Sequence, residues 1–221
     1  MNFYRQNSRN VRASVLAVLL LTVVQTGCAE KGVVDQNSAS TIHPSPYAEI
    51  SLNYEKQSGY ASNQFAVWIE DFDGDIIRTL YVTRFTANGG YKNRPDSIPI
   101  WVKKSGIESM EKSDVDAITG ATPRTSPSLS YYWDLKDTNG KTVPSGDYKY
   151  FVEGSLRWKN HVIYSGVISV GDNPNFSEAA AEFSFEASDS QPALSETAQE
   201  VKMISGVRAE FFPQLPDAET E

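Results

Sequence analysis

Few residue types in this 221-residue chain can carry out chemistry without a borrowed cofactor. It contains one cysteine, Cys28, and two histidines, His43 and His161. A single cysteine excludes an internal disulfide and a cysteine-based zinc site. Two histidines are too few for a metal centre built from several imidazoles. We therefore expect a carrier or binding module, with no catalytic residues and no metal site, in preference to an enzyme.

Two further sequence patterns resemble known kinds of site. A serine-type triad would have to use His161, and the chain has no Gly-x-Ser-x-Gly elbow. Residues 71–75 (DFDGD) resemble the start of a calcium loop, but the glycine stands at the fourth position instead of the sixth, and no glutamate follows at the twelfth. The dipeptide Asp73-Gly74 is typical of a β-hairpin turn, which is the favoured interpretation.

The first 28 residues are arranged like an export signal. Arg5, Arg9 and Arg12 precede an apolar run over residues 13–24. Twelve residues of helix cannot cross a hydrocarbon core, which needs roughly 20, so the run indicates a signal peptide over residues 1–28.

Cys28 directly follows Gly27 at the end of this run. The arrangement resembles the lipobox of bacterial lipoproteins, and the resemblance implies that Cys28 is acylated and anchors a periplasmic protein to the bacterial membrane. The alternative is ordinary cleavage after Ala29, which would discard the cysteine.

The net charge of the chain limits the kinds of binding partner that can be expected. The chain has 20 basic and 28 acidic residues, and loss of the three signal arginines leaves 17 against 28, a net charge near −11. Nucleic-acid binding needs clustered basic residues, so we expect none. A lipid anchor would have to hold the protein against repulsion from anionic headgroups.

The most specific short motif is DAITGAT, over residues 116–122. It resembles the acceptor sequence of bacterial flavin transferases, in which a final serine or threonine hydroxyl attacks the pyrophosphate of FAD, AMP leaves and FMN stays attached. The resemblance implies FMN on Thr122, with Asp116, Thr119, Gly120 and Ala121 as the other motif positions. The small residues Gly120 and Ala121 would let Thr122 enter another enzyme's active site.

A plainer interpretation of the same residues is a turn capped by the Asp116 side chain. Pro123 follows Thr122 directly and restricts it to extended conformations. Both interpretations remain open from the sequence.

The elements that must position this motif are strands. Alternating apolar residues and turn signals predict an all-β, antiparallel, Ig-like β-sandwich over residues 47–212, with a flexible tether over 29–46 and an acidic tail over 213–221. In the second strand, Phe65, Val67 and Ile69 should share one face, with Trp68 on the other. The predicted strands are 48–54, 64–70, 76–84, 128–133, 148–158, 161–170, 181–187 and 205–212, and one short helix is predicted over 105–112.

Aromatic and basic side chains could contact a flavin. Four tryptophans could stack on an isoalloxazine ring, although core packing is the favoured interpretation: Trp68, Trp101, Trp133 and Trp158. Four arginines could gather around a phosphate or pair with the abundant acids instead: Arg78, Arg84, Arg94 and Arg124.

The stretch from Trp133 to Tyr148 resembles the Ig-like module of flagellar hook-capping proteins. Asp137 and Asn139-Gly140 provide turn chemistry there, and Gly146 begins a strand that should bury Tyr148. This resemblance implies a fold only.

A broader resemblance covers about 64–172. Its hallmark stretches (66–71, 78–84, 99–101, 116–123 and 133–148) are similar to those of a family of predicted periplasmic proteins of unknown function, whose members tend to be encoded beside flavin transferases and PepSY-type membrane proteins. The resemblance implies an accessory or carrier in flavin-dependent extracytoplasmic electron transfer, with those two protein types as partners. The alternative function is a non-redox Ig-like binding or structural module.

Overall fold

Two β-sheets pack face to face in the computed structural model of the protein, which describes residues 46–57, 63–156, 160–184 and 203–213. These residues belong to a compact unit that spans 42–221. The all-β sandwich predicted from strand alternation is confirmed. Its Ig-like character stays a prediction.

The strands, in chain order, are β1 (Tyr47–Tyr54), β2 (Gln64–Glu70), β3 (Ile76–Thr83), β4 (Thr119–Gly120), β5 (Ser126–Trp133), β6 (Gly146–Leu156), β7 (Asn160–Val170), β8 (Asn175–Glu178), β9 (Ala180–Ser184) and β10 (Ile204–Phe212). One sheet has the order β5-β1-β10-β8, and the other has the order β4-β3-β2-β6-β7-β9. Among the described strands, only β3 and β4 pair in parallel; the other neighbours are antiparallel.

The helices lie between β3 and β5. They are α1 (Arg84–Ala87), α2 (Pro99–Ser105) and α3 (Lys112–Ile118), with 3-10 turns at Gly90–Lys92 and Ile107–Ser109. Residues 84–118 are called the helical layer below. The single helix predicted over 105–112 is wrong. Gly106 takes a left-handed conformation (φ 63°) that ends α2 at Ser105, and α3 begins only at Lys112.

The six-stranded sheet is buried on both faces at its strand β2, in contrast to the exposed edge strand β9. Phe65, Val67 and Ile69 point into the core between the sheets. Ala66 and Trp68 point the other way, where they pack against the helical layer. All seven residues of β2 are buried as a result. The predicted division of β2 into two faces is confirmed, although the layer covering the second face was not predicted.

Two aspartates shape the predicted turns. Asp71 Oδ1 accepts the backbone N–H groups of Gly74 and Asp75, both at 2.9 Å, in the hairpin between β2 and β3. Asp137 Oδ1 accepts the N–H groups of Asn139 at 2.8 Å and Lys141 at 2.9 Å. These bonds stabilise turns whose glycines have positive φ, so the hairpin interpretation of residues 71–75 is confirmed.

Two short strands, β4 and β8, are absent from the strands predicted from the sequence. β4 has two residues, too few for any alternation to show, and β8 has four. The predicted strand at 181–187 is described as far as Ser184, and Trp158 lies outside the described residues.

Candidate functional site

The segment 116–122 runs from the last turn of α3 through β4 to the residues that follow it. Asp116 lies in α3 with an exposed side chain. Thr119 ends the helix, and its Oγ1 donates a hydrogen bond to the carbonyl of Val115 at 2.6 Å. The turn capped by Asp116 is therefore wrong: among the described residues the Asp116 carboxylate accepts no hydrogen bond, and the helix end is satisfied by Thr119.

β4 places the segment at the edge of the six-stranded sheet. Thr119 pairs with Val82 and Gly120 pairs with Thr83, in parallel with the end of β3. A parallel pair needs a crossover connection, which here is the helical layer. The helical layer therefore both covers one face of the sheet and delivers residues 119–122 to its edge.

Tyr81 contacts this segment at two consecutive residues. Its hydroxyl donates a hydrogen bond to the carbonyl oxygen of Ala121 at 2.8 Å. Its ring lies against Gly120, where a Cβ atom would come within 2.2 Å of Tyr81 Cε2. Packing alone therefore requires glycine at position 120.

Tyr81 belongs to a group of rings, called the aromatic cluster below, that consists of Tyr54, Phe65, Tyr81 and Tyr131. The Tyr81 ring centroid lies 4.7 Å from that of Phe65 and 5.0 Å from that of Tyr131, and Phe65 lies 5.4 Å from Tyr54. Burial raises the pKa of Tyr54 to about 12 and also raises the pKa of Tyr81 and of Tyr131. The Tyr81 hydroxyl therefore stays protonated, and remains a donor, at neutral pH.

Thr122 is half-buried. Its hydroxyl has no hydrogen-bond partner among the described residues. Downstream, Thr125 Oγ1 accepts the backbone N–H of Lys56 at 3.0 Å, which links the segment to the chain after β1. The arrangement offers an unengaged hydroxyl on a backbone that is held on both sides.

The four arginines do not share one environment. Arg124, two residues after Thr122, is exposed, and so is Arg84, which directly follows the Thr83 that pairs with Gly120. Arg78 Nη1 donates to the Asp137 carbonyl at 3.0 Å, and Arg94 lies 3.7 Å from the carboxylate of Asp96. Two of the four are therefore near the segment, and two have other partners.

Three of the four tryptophans are core residues, which confirms the favoured interpretation for them. Trp68, Trp101 and Trp133 are fully buried. Their indole N–H groups donate to Glu70 Oε1 at 2.7 Å, Thr79 Oγ1 at 3.1 Å and the Lys136 carbonyl at 2.9 Å, respectively.

The sequence reasoning missed two buried carboxylates that attach the helical layer to the sheet. Glu153 accepts the backbone N–H groups of Ile100 at 2.9 Å and Trp101 at 2.6 Å, at the start of α2. At the other end of α2, Lys104 Nζ lies 2.7 Å from Glu70 Oε2. A glutamate inside an otherwise apolar strand was the available signal, because a buried carboxylate needs partners.

His161 lies near the start of β7, as predicted. Its Nε2 is 2.6 Å from Glu153 Oε1, and its Nδ1 is 3.2 Å from Ser184 Oγ. Ser184 is the direct cross-strand neighbour of His161, so strand pairing itself brings the two together. Glu153 also accepts two backbone N–H groups of α2, so this carboxylate joins His161 to the start of that helix.

Cys28 and His43 lie outside the described residues. Within the described ranges, no group of three or more His, Cys, Asp and Glu side chains is placed to hold a metal ion. No helix there is long and apolar enough to cross a membrane.

The fold defines the class as an all-β sandwich with a helical crossover layer. The family model described as "Predicted periplasmic protein (DUF2271)" matches residues 48–185, more than half of the chain. The protein belongs to this family, which confirms the family resemblance seen in the sequence. No curated protein and no solved structure matches the chain. The link to flavin transferases and PepSY-type proteins and the hook-capping resemblance stay predictions.

Proposed function

We propose that this protein is an exported carrier in flavin-dependent extracytoplasmic electron transfer, with FMN esterified to Thr122. The observation that carries the proposal is the segment 116–122 itself. It combines the acceptor motif with a defined position at the sheet edge and a Thr122 hydroxyl that no described residue engages. A hydroxyl already donating to a protein acceptor would have to lose that bond before it could react.

The attachment reaction is a phosphoryl-group transfer from FAD. A bond forms between Thr122 Oγ1 and the phosphorus atom of the FMN half, and the bond from that phosphorus to the bridging oxygen breaks. AMP leaves with that oxygen, and the hydroxyl proton passes to a base of the transferase. FMN then supplies the redox chemistry, while this chain supplies attachment and surroundings.

Arg84 and Arg124 support the proposal electrostatically. The phosphodiester that links FMN to a threonine carries a negative charge, and exposed guanidinium groups are good partners for phosphate oxygens. Both side chains are exposed and both flank the motif, Arg84 through strand pairing and Arg124 along the chain. Two exposed guanidinium groups thus lie near the motif, which also contains one exposed carboxylate, that of Asp116.

A lipid anchor on Cys28 would keep the carrier at the membrane. Residues 29–46 would then link the anchor to β1, and the anchored domain could meet a PepSY-type or other membrane redox protein. Replacement of Cys28 by serine should release the protein from the membrane fraction; a wild type that is already released would contradict the anchor.

Intact mass after periplasmic co-expression with a flavin transferase tests the proposal. The wild type should gain the mass of one FMN, and Thr122→Val should gain none. Thr142→Val removes an exposed threonine outside the motif and should be modified like the wild type. An unmodified wild type, in cells where the transferase modifies an established acceptor protein, would overturn the carrier function.

The second candidate, a non-redox binding module, is favoured by a different observation. Several aromatic side chains lie on the outward face of the four-stranded sheet. Tyr47 stacks on Phe212 at 4.7 Å and meets Tyr132 edge-on at 5.8 Å, and Phe176 on β8 is 67% exposed. Exposed aromatic surface of this kind is typical of binding faces. An unmodified wild type would favour this candidate.

A further inference from the structure

We propose that Tyr81 is the positioning residue of the flavin acceptor segment, a role that rests on the proposed function. The hydroxyl of Tyr81 donates to the carbonyl oxygen of Ala121 at 2.8 Å. That carbonyl belongs to the peptide unit joining Ala121 to Thr122. The hydrogen bond therefore fixes the peptide plane from which Thr122 extends.

Pro123 restrains Thr122 from the other side. A residue that precedes proline is confined to extended backbone conformations. Threonine is also β-branched, which limits its χ1 angle. With Tyr81 on one side and Pro123 on the other, the acceptor hydroxyl can take few orientations.

The surroundings of Tyr81 hold the donor in place. Its ring is packed between neighbours of the aromatic cluster, with centroids at 4.7 Å from Phe65 and 5.0 Å from Tyr131. Gly120 fits against the ring because it lacks a Cβ atom. A ring packed in this way cannot move aside freely, so the position of Ala121 follows from that of the inner core. Tyr81 thereby connects the apolar core to the reactive segment, although Tyr81 and Ala121 are 40 positions apart in the chain.

This hydrogen bond raises the fraction of molecules in which Thr122 is held in the orientation that the transferase binds. When only a fraction of the molecules has that orientation, the apparent affinity of the transferase for the protein falls in proportion. Loss of a hydrogen bond worth about 1 kcal/mol corresponds to about a fivefold change. Tyr81→Phe keeps the ring and removes the donor. We expect it to raise the transferase KM for this protein about fivefold while kcat stays unchanged.

Tyr131→Phe is the matched control. It removes a hydroxyl from the same aromatic cluster, but from a ring with no hydrogen bond to residues 119–122 among the described contacts. The test measures KM and kcat for FMN incorporation by purified transferase with FAD, together with amide hydrogen exchange over residues 119–125. We expect faster exchange and a higher KM in Tyr81→Phe, and wild-type values of both in Tyr131→Phe.

The outcomes separate the inference from the proposed function. If the wild type and Tyr81→Phe take up FMN with equal KM, the role of Tyr81 is overturned and the proposed function is not. A faster reaction of Tyr81→Phe would also overturn it, because the bond would then hinder access. A fall in kcat at constant KM would show an effect on the chemical step and contradict positioning. A wild type that takes up no FMN would overturn the proposed function and this role with it.

Discussion

The two faces of the six-stranded sheet are buried by different physics. The inner face meets the other sheet through apolar and aromatic side chains, among them Phe65, Val67 and Val152. The outer face meets the helical layer through apolar contacts and through directional links from buried polar groups, notably Glu70 and Glu153. Val152 and Glu153 are chain neighbours that face opposite ways, so one strand contributes to both.

The apolar contacts of the inner face stabilise the sandwich, whereas the hydrogen bonds of the outer face position the helical layer and the functional segment that follows it. Apolar burial is non-directional and roughly proportional to area, so the inner core stabilises the two sheets as a whole. A carboxylate that accepts two backbone N–H groups fixes α2 in one position, and removal of such links affects mainly the element they hold. We therefore expect that substitutions can destabilise the helical layer, and residues 119–122 at its end, without destabilising the two sheets to the same extent.

The largest effect should come from the inner core. Phe65→Ala removes the ring that contacts Tyr54, Tyr81 and Tyr131. We expect a loss of about 4 kcal/mol in the free energy of unfolding, measured by urea denaturation, because a large buried ring leaves a cavity. Hydrogen exchange should accelerate in both sheets. Acceleration confined to the helical layer would contradict the comparison.

Glu153→Gln should have a smaller and more local effect. The amide keeps the shape of the carboxylate but cannot accept hydrogen bonds at both of its terminal atoms. It should therefore lose one of the two N–H partners in α2, at a cost of about 2 kcal/mol. Hydrogen exchange should rise over 98–105, with the inner strands protected. Glu182→Gln, an exposed glutamate on β9, is the control and should leave both measurements unchanged.

Lys104→Met tests the link at the other end of α2. It leaves Glu70 Oε2, in a side chain that is 2% exposed, without its ammonium partner. Because Lys104 is itself 36% exposed, water can replace part of the interaction, and we expect a loss of about 1 kcal/mol. Lys103→Met alters an exposed lysine on the same helix and should change stability by less than half as much. Equal effects of the two variants would show that the Glu70 link contributes nothing.

Tyr54→Phe should produce the smallest change at neutral pH. The Tyr54 hydroxyl is buried without a hydrogen-bond partner among the described residues, so its removal should alter stability by no more than about 0.5 kcal/mol.

The same variant has a predictable pH dependence. Burial raises the pKa of Tyr54 to about 12 in the folded state, above its ordinary value of 10. Its contribution to stability is therefore complete below pH 10 and is lost as the pH rises through about 12. Between pH 10 and about 12 the wild type should lose stability more steeply than Tyr54→Phe, as measured by urea denaturation. Parallel losses would contradict this assignment.

Local patterns predicted the sandwich well and the site only in part. Alternation assigned the two faces of β2, and the dipeptides Asp73-Gly74 and Asn139-Gly140 located the turns at 71–75 and 137–141, because both signals lie within a few residues. The motif at 116–122 was visible for the same reason. Its surroundings were not, since Tyr81 and Ala121 meet across 40 positions and Glu153 meets Trp101 across 52. Such contacts depend on the crossover that the helical layer makes between β3 and β4. This crossover could not be predicted, because β4 has only two residues and shows no alternation.

The central claim is that Thr122 accepts FMN, and peptide mapping tests it most directly. Purified protein, flavin transferase and FAD would be incubated together, digested with trypsin and analysed by tandem mass spectrometry. Trypsin should release residues 113–124 as one peptide, between Lys112 and Thr125. The account predicts one FMN on this peptide, located at Thr122. A peptide that stays unmodified while an established acceptor protein is labelled in the same reaction, or FMN located on another residue, would contradict it.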